Sequence, residues 1–543
     1  MKNSGLIRGG AQPRAKNRME EINNLNRKIP VIDLFAGPGG LGEGFSSFRN
    51  EAGTNPFEIA LSVEKDPNAF NTLETRSLFR YLNQTGDVSD YFEYVRGSLS
   101  RDDLFSRHRK EANFASKVCR RVELGGPTVS SADLKERILS SIGDRREWIL
   151  IGGPPCQAYS IIGRSRVRKI EPEKYEKDSR HFLYREYLKI VADYSPPLFL
   201  MENVKGLLST RINGINMFAQ IVKDLESPRE TIGGQIAFKS ALHYRIYSLS
   251  TSKPPGSLTA KEYVVKAERY GIPQKRHRVF LFGIRADLPE IFPSMISLRQ
   301  SRISYSVQDA IGDLQKLRGG LSDTHVDSWE NWREMMRDIY KAKWFNSDQI
   351  DRSVRSEMQK NLALILKSRY GRGSEFIETS TAPDSLREYY QDKRLAGICN
   401  HSTRSHIPED QYRYFFASCF SKVYGYSPTL HDYPRSLLPN HKNVAYGRES
   451  IIFSDRFRVQ IRNEPSSTIT SHISKDGHYY IHYDPKQCRS LTVREAARLQ
   501  TFPDNYFFEG PRTEQYRQVG NAVPPILARR IAAKIYKLLE IIR

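Results

Sequence analysis

A short apolar strand that runs into a rigid turn with a single cysteine constrains the fold of this chain more than any other segment. Residues 148–151 read Trp-Ile-Leu-Ile, and residues 152–160 read Gly-Gly-Pro-Pro-Cys-Gln-Ala-Tyr-Ser. Two consecutive prolines fix the backbone and remove two N–H donors, which suits a side chain that must be aimed. In an open α/β sheet, ligands bind at the carboxyl ends of the strands. The segment therefore predicts an α/β fold with Cys156 as a candidate nucleophile, and a buried structural cysteine is the alternative.

A glycine-rich turn follows an earlier predicted strand. Residues 31–35 (Val-Ile-Asp-Leu-Phe) form this strand, residues 36–42 read Ala-Gly-Pro-Gly-Gly-Leu-Gly, and a helix is predicted to follow. A second predicted strand, residues 59–63, ends at Glu64. This layout is typical of a nucleoside site, where the acid accepts hydrogen bonds from ribose hydroxyls. The turn lacks a P-loop lysine, and simple packing of a helix on a strand is the alternative.

The remaining pattern divides the chain into four parts. A third predicted strand, residues 197–201, delivers Glu202 at the same edge as Cys156, and residues 274–278 (Gln-Lys-Arg-His-Arg) precede a fourth strand. From about residue 286 to 487 the βα pattern is lost, and it returns in a predicted capped helix and a C-terminal amphipathic helix. The predicted parts are a basic N-terminal arm (1–29), an α/β domain (30–285), a middle region (286–487) and a C-terminal segment (488–543).

The composition indicates what kind of partner the protein binds and in which cellular compartment it works. The chain has 84 Lys and Arg against 62 Asp and Glu, a formal net charge of +22, which favours a polyanionic partner. Charge alone leaves DNA, RNA and an acidic membrane open. The five cysteines show no C-x-x-C spacing and no zinc-ligand cluster, so we expect a reducing compartment and no metal. No apolar run is long enough to span a membrane.

Six motifs, in order, resemble those of the DNA (cytosine-5) methyltransferases, from about residue 30 to the C-terminus. They are residues 33–40, 153–157, 202–204, 274–278, 494–503 and 518–525. The resemblance implies a Rossmann-like, S-adenosylmethionine-dependent methyltransferase fold, with residues 30–285 and 488–543 as the catalytic domain. The middle region, 286–487, then takes the place of a separate target-recognition domain.

The resemblance also assigns roles to individual residues. Cys156 adds to C6 of a cytosine flipped out of the duplex, Glu202 contacts N3 and the exocyclic amine, and Arg278 binds O2. Arg276 supports Glu202 or binds a phosphate, and the base that removes H5 is not identified. The implied S-adenosyl-L-methionine contacts are Asp33, Phe35, Gly37, Gly39, Gly40, Glu64, Pro155, Asn521 and Val523. The implied DNA contacts are Gln157, Ser160, Arg164, Arg166 and Arg168. Asp87 and Glu123 compete as the contact to the adenine amine.

The leading hypothesis is a site-specific DNA methyltransferase that protects DNA in a restriction–modification pair. Double-stranded DNA is its expected partner, a cognate restriction endonuclease acts separately, and the location is the bacterial cytoplasm at the nucleoid. A tRNA cytosine-5 methyltransferase is the alternative substrate class, and the long middle region argues against it. A DNA-binding protein that has lost catalysis is the third hypothesis, against which Cys156, Glu202 and Arg278 count. The DNA recognition sequence is not predicted.

Overall fold

A twisted eight-stranded sheet forms the centre of the N-terminal half. The computed structural model describes residues 28–126, 131–155, 183–212, 214–232, 242–322, 326–379, 386–440 and 454–542. The strands are β1 (Ile29–Leu34), β2 (Phe57–Glu64), β3 (Cys119–Arg121), β4 (Ile149–Gly152), β5 (Leu198–Val204), β6 (Tyr244–Tyr247), β7 (Val264–Lys266) and β8 (His277–Arg285). Their order is β3-β2-β1-β4-β5-β8-β6, and β7 also pairs with β8.

The first five strands are parallel, and β8 runs antiparallel to β5, β6 and β7. Neighbours along β1 face opposite sides of the sheet, because Val31 belongs to one buried apolar cluster and Ile32 to the other. Strands buried on both faces explain the continuous apolar runs of the sequence. The predicted α/β fold class is confirmed.

Four helices enclose the glycine turn. They are α1 (Gly40–Ser47), α2 (Pro67–Thr85), α3 (Arg512–Asn521) and α4 (Pro525–Ile542). The C-terminal helix α4 packs directly on α1, since a Cβ added to Gly44 would lie 2.2 Å from the Ala528 Cβ. The C-terminal helix therefore covers the helix that follows the glycine turn.

The segment between Asp90 and Arg146 contains a strand of the central sheet as well as helices. Its last helices flank β3, which extends the central sheet beside β2. No apolar pattern in the sequence indicates this strand, because it is only three residues long and just Cys119 is buried. Strand β3 is specified by pairing with the edge of β2 and not by an apolar pattern of its own.

The part of the chain after β8 has its own apolar cluster, centred on Trp332, Met358 and Tyr414. A further cluster joins helix Val307–Ile311 to helix Val493–Leu499 and to α3. Thr492 caps the second of these helices, and its side chain and that of Glu495 form the predicted capping box. Among the described residues, no helix is long and apolar enough to cross a membrane.

The other described helices span Ser89–Arg96, Arg101–Arg107, Arg109–Val118, Ser131–Ile142, Leu183–Tyr194, Met217–Glu226, Pro228–Ile232, Pro293–Ile296, Val307–Ile311, Trp329–Arg337, Arg352–Lys367, Arg387–Tyr390, Pro408–Tyr424 and Val493–Leu499. Short strands pair in twos: Arg211–Ile212 with Ile215–Asn216, Gln274–Lys275 with Ser466–Ser467, Gly320–Leu321 with Ser405–His406, and Gly373–Glu378 with Gly397–Ser402.

Candidate functional site

The carboxyl ends of β1, β2, β4 and β5 meet at one edge of the sheet. Because β1 lies between β2 and β4, Phe35 stands between Glu64 on one side and Gly153 on the other. Glu202 lies in β5, the next strand beyond β4. This edge therefore gathers the candidate residues of three predicted motifs.

The glycine turn is shaped by close backbone contacts on one side and open space on the other. Gly39 has φ +94°, and a Cβ there would lie 2.8 Å from Leu73 Cδ2. A Cβ on Gly40 would lie 2.2 Å from the carbonyl oxygen of Val523. Gly37 has φ +57°, and a Cβ there would meet no atom within 4 Å. Glycine is therefore required by the backbone conformation at Gly39 and by packing at Gly40, while Gly37 borders room for a ligand.

Glu64 is fixed by backbone donors from both sides of the turn. Its carboxylate accepts the N–H of Gly37 at 2.8 Å, of Lys65 at 2.9 Å and of Asp66 at 2.8 Å. Burial raises the pKa of Glu64, and these three N–H groups oppose that rise. The carboxylate is consequently held at the end of β2 in one orientation, facing the glycine turn.

Phe35 adopts an unusual backbone conformation at the end of β1. Its φ is +54°, in the left-handed region that a bulky residue rarely occupies. Such strain costs of the order of 1–3 kcal/mol and concentrates at functional sites. The ring is half-buried and packs beside the cluster that covers one face of the sheet. The turn thus presents part of an aromatic surface at the ligand edge.

Asp33 is buried beneath the surface that a ligand could contact. Its side chain is fully buried, and neither carboxylate oxygen has a hydrogen-bond partner within the described residues. Burial raises the pKa of Asp33 to about 8, against the attraction of Arg80 and the nearby Gly42 N–H. A role of Asp33 in cofactor binding would therefore be indirect, through the position of α1.

Glu202 and Arg278 form an ion pair across neighbouring strands. Glu202 pairs with Phe280 in the antiparallel register, so Arg278 lies diagonally opposite on the same face. Glu202 Oε1 is 3.0 Å from Arg278 Nε, and both side chains are mostly buried. A Cβ on Gly153 would lie 3.1 Å from Glu202 Oε2. The segment that leads to the predicted nucleophile therefore passes directly over the carboxylate.

Arg276 is buried and bonded to the backbone. Its Nη1 donates to the carbonyl oxygens of Ile469 at 2.8 Å and Gly520 at 3.2 Å. Burial and the neighbouring Arg278 lower the pKa of Arg276, and Glu202 opposes that shift. With 2% of its surface exposed, the side chain has no face for a phosphate. It lies close to Glu202 without an ion pair between them among the contacts of the described residues.

The two candidates for the adenine amine occupy different places. Glu123 follows β3 at the ligand edge, and its Oε1 is 3.0 Å from Lys65 Nζ, next to Glu64. Asp87 follows α2, which starts after β2 and is 19 residues, or about 28 Å, long. That helix carries Asp87 toward the opposite edge, where its carboxylate accepts the Ser89 N–H. Proximity to Glu64 favours Glu123.

Of the other predicted cofactor and DNA contacts, only some lie in the part of the chain that the structure describes. Pro155 is half-buried at the end of the described turn after β4, and Asn521 is exposed at the end of α3. The backbone of Val523 lies against Gly40, as above. Several predicted residues lie outside the described part of the chain: Cys156, Gln157, Ser160, Arg164, Arg166 and Arg168. In the described part, no group of three or more His, Cys, Asp or Glu side chains could hold a metal ion.

Sequence reasoning missed an ionic network beneath the turn. Glu43 of α1 pairs with Arg76 at 2.6 Å and Arg80 at 2.9 Å. The Tyr506 hydroxyl donates to the carbonyl oxygen of Pro38 and closes the turn from the C-terminal side. The one available signal was an acid among the small residues of α1, since a helix packed on a sheet rarely buries a charge without a partner.

A family model and similar known proteins identify the same family. The family model for C-5 cytosine-specific DNA methylases matches residues 129–228 and 259–537. The chain is 32% identical over 524 residues to the type II methyltransferase M.Bpa9945I of Bacillus paralicheniformis, covering 93% of this chain and 98% of that protein. It is 26% identical to the type II methyltransferase M.AgeI of Thalassovita gelatinovora, covering 93% and 99%. It is 25% identical to the DNA (cytosine-5-)-methyltransferase M.ApeKI of Aeropyrum pernix, covering 77% and 87%.

Proposed function

The chain belongs to the C-5 cytosine-specific DNA methylase family, and we propose that its ligand edge is divided into a cofactor side and a base side. The enzyme is a DNA (cytosine-5-)-methyltransferase that uses S-adenosyl-L-methionine. The observation that carries the proposal is the ion pair between Glu202 and Arg278 beside Gly153. Glu202 lies two strands away from the glycine turn and three strands away from Glu64.

On the cofactor side, the available residues fit S-adenosyl-L-methionine. The space at Gly37 admits a ligand against the backbone, and the fixed carboxylate of Glu64 would accept two ribose hydroxyls. Phe35 would lie against the adenine ring, and Glu123, in preference to Asp87, would accept the adenine amine. The cofactor supplies an electrophilic methyl group when bound. Asn521 and Val523 would complete the wall from the C-terminal side.

On the base side, the residues would make C5 of cytosine nucleophilic. The Cys156 thiolate forms a bond to C6, and the electron pair of the C5–C6 double bond becomes available at C5. Glu202 would hold a proton at N3, and Arg278 would bind O2, where negative charge develops. After methylation, a base removes H5, the electron pair restores the double bond and the sulfur leaves. Arg276 would keep Arg278 in position.

The natural substrate would be a short site in double-stranded DNA, from which the target cytosine must be extruded. The net charge of +22 supports a phosphate-rich partner. Similarity to type II methyltransferases supports a protective role beside a separately acting restriction endonuclease. This substrate would locate the enzyme at the nucleoid, in the bacterial cytoplasm. The middle region would read the bases, and Gln157, Ser160 and the basic residues after them would contact the DNA.

The test is methyl transfer from labelled S-adenosyl-L-methionine to genomic DNA and, separately, to total tRNA, followed by sequencing of the modified positions. We expect label at C5 of cytosine in one short DNA motif. Label only in tRNA, or none on either, would contradict the proposal.

A matched pair of variants tests the assignment of the cofactor side. Glu123→Ala should raise KM for the cofactor at least tenfold, because it removes the acceptor of the adenine amine. Asp87→Ala should leave KM unchanged. If the Asp87 variant raised KM and the Glu123 variant did not, Asp87 would be the residue that contacts the adenine amine.

A further inference from the structure

Two buried glutamines connect the base side of the site to the cofactor side. Gln274 begins the motif that ends at Arg278, and its Nε2 donates to Gln500 Oε1 at 2.9 Å and to the Leu499 carbonyl at 3.2 Å. Its Oε1 accepts the Ile469 N–H at 2.9 Å. Both glutamine side chains are fully buried. The amide of Gln274 is therefore held by three partners on two separate segments, one at residue 469 and one at residues 499–500.

The second glutamine continues the chain of bonds toward the cofactor turn. Gln500 Nε2 donates to the carbonyl oxygen of Val519 at 2.7 Å and to that of Ala522 at 3.2 Å. Ala522 precedes Val523, whose carbonyl oxygen lies against Gly40. The backbone partners fix the orientation of both amides, because carbonyls require the NH₂ groups and the Ile469 N–H requires an oxygen. The bonds thus form a directed relay from Gln274 to the wall of the glycine turn.

The backbone around the two glutamines is closely packed and can move little. A Cβ on Gly520 would lie 2.3 Å from the backbone of Thr470 and Ser471. Thr501, directly after Gln500, has φ +61°, which is an outlier for a β-branched residue. Its Oγ1 accepts the Ile526 N–H at 3.2 Å, at the start of α4. A strained residue held in this way indicates that the position of Gln500 is set by the whole assembly.

We infer that Gln274 and Gln500 are positioning residues that couple occupation of the cofactor side to the placement of Arg278. The inference rests on the proposed function, in which Gly40 and Val523 border the cofactor and Arg278 binds the base. A shift of the Val523 backbone moves the acceptors of Gln500, and the bond between the two glutamines transmits this shift to Gln274, which lies four residues before Arg278. Coupling of this kind is reciprocal, so bound DNA must tighten the cofactor side by the same factor.

The test measures coupling and not activity. The dissociation constant of S-adenosylhomocysteine is determined by calorimetry, with and without a duplex that carries the methylated motif. The ratio of the two constants is the coupling, which typically lies at about 5- to 150-fold. In Gln500→Glu the ionised side chain cannot donate to Val519 and Ala522, so the ratio should fall toward one at pH 8. Burial raises the pKa of such a carboxyl, and its protonation at pH 6 should restore much of the ratio.

Gln411→Glu is the matched control. Gln411 is also fully buried, accepts one hydrogen bond from Trp332 Nε1 at 2.6 Å, and donates to the carbonyls of Gly320 at 2.9 Å and His406 at 3.3 Å. It lies in the cluster of the middle region, away from the relay. This variant should keep the wild-type ratio at both pH values, although it loses the same number of donors.

The outcomes separate the inference from the proposed function. A wild-type ratio in Gln500→Glu, or an equal loss in Gln411→Glu, overturns the inference alone. Failure of the wild type to bind S-adenosylhomocysteine overturns the proposed function. If Gln500→Glu does not fold by circular dichroism, Gln274→Glu replaces it, since its carboxylate keeps the Ile469 N–H and loses only the donors. A preserved ratio in that variant again overturns the inference.

Discussion

The buried carboxyl of Asp33 predicts a stability change with an unusual sign. Asp33 is fully buried without a hydrogen-bond partner among the described residues, and burial raises its pKa to about 8 from the usual 3.8. Between these two values the folded protein keeps a proton that the unfolded chain releases. The contribution of Asp33 to stability is therefore complete below pH 3.8 and is lost as the pH rises through about 8.

Asp33→Asn removes this pH dependence while it keeps the shape of the side chain. Each pH unit within that range lowers the free energy of unfolding of the wild type by about 1.4 kcal/mol for this one group. From pH 6.0 to pH 7.5 the variant should therefore gain about 2 kcal/mol relative to the wild type. Its cofactor affinity should stay close to that of the wild type, because Asp33 acts only through the position of α1.

The assay is urea unfolding followed by circular dichroism at several pH values, with the wild type and variant compared at each. Glu43→Gln is the control of opposite sign. Burial alone would raise the pKa of Glu43, but Arg76 and Arg80 hold this pKa at about 2. The contribution of Glu43 to the free energy of unfolding is therefore complete between pH 6.0 and 7.5 and is lost only in acid. That variant should be less stable by about 3–5 kcal/mol at every pH from 6.0 to 7.5. A constant gap between Asp33→Asn and the wild type would refute an un-ionised Asp33.

Three further substitutions test the two sides of the site. Gly40→Ala drives a Cβ toward the Val523 carbonyl at 2.2 Å, so calorimetry should show at least a tenfold weaker affinity for S-adenosylhomocysteine. In Gly37→Ala the added Cβ meets no protein atom, so the free energy of unfolding should fall by only about 1–2 kcal/mol, the cost of a left-handed residue. The same Cβ would fill space meant for the cofactor, so the affinity for S-adenosylhomocysteine should fall. An unchanged affinity would contradict the assignment of this space to the cofactor. Arg278→Lys keeps the charge and loses the planar donor pair, so kcat/KM for DNA should fall at least tenfold, whereas the dissociation constant of S-adenosylhomocysteine measured without DNA should stay unchanged.

The sheet and its ligand edge could be predicted because their signals are local. Strands β1, β4 and β5 are buried on both faces and read as continuous apolar runs. The residues that follow such strands must lie at the carboxyl edge, whatever the rest of the chain does. The capping box of Thr492 and Glu495 is similarly decided within four residues. These features depend on pattern and turn chemistry alone.

The depth of individual charged residues could not be predicted, because it depends on distant partners. Arg489 looks like a surface residue in the sequence, yet it is buried in an ion pair with Glu495 at 2.6 Å. Arg276 was expected near a phosphate or Glu202, and its guanidinium bonds to carbonyls of residues 469 and 520. Nothing near position 276 in the sequence specifies acceptors about 200 residues away. Charge at a buried position is a tertiary property.

The cofactor side illustrates why the motifs are spread over the whole chain. The Pro38 carbonyl accepts the Tyr506 hydroxyl, Gly40 lies against Val523, and Gly44 lies against Ala528. A short turn of small residues has no side chains with which to enclose a ligand, so its walls must come from elsewhere. The C-terminal segment supplies them, because Gly40 and Gly44 admit this segment while Gly37 leaves space open. The pocket therefore forms only when residues almost 500 positions apart have met, which ties cofactor binding to the completion of folding.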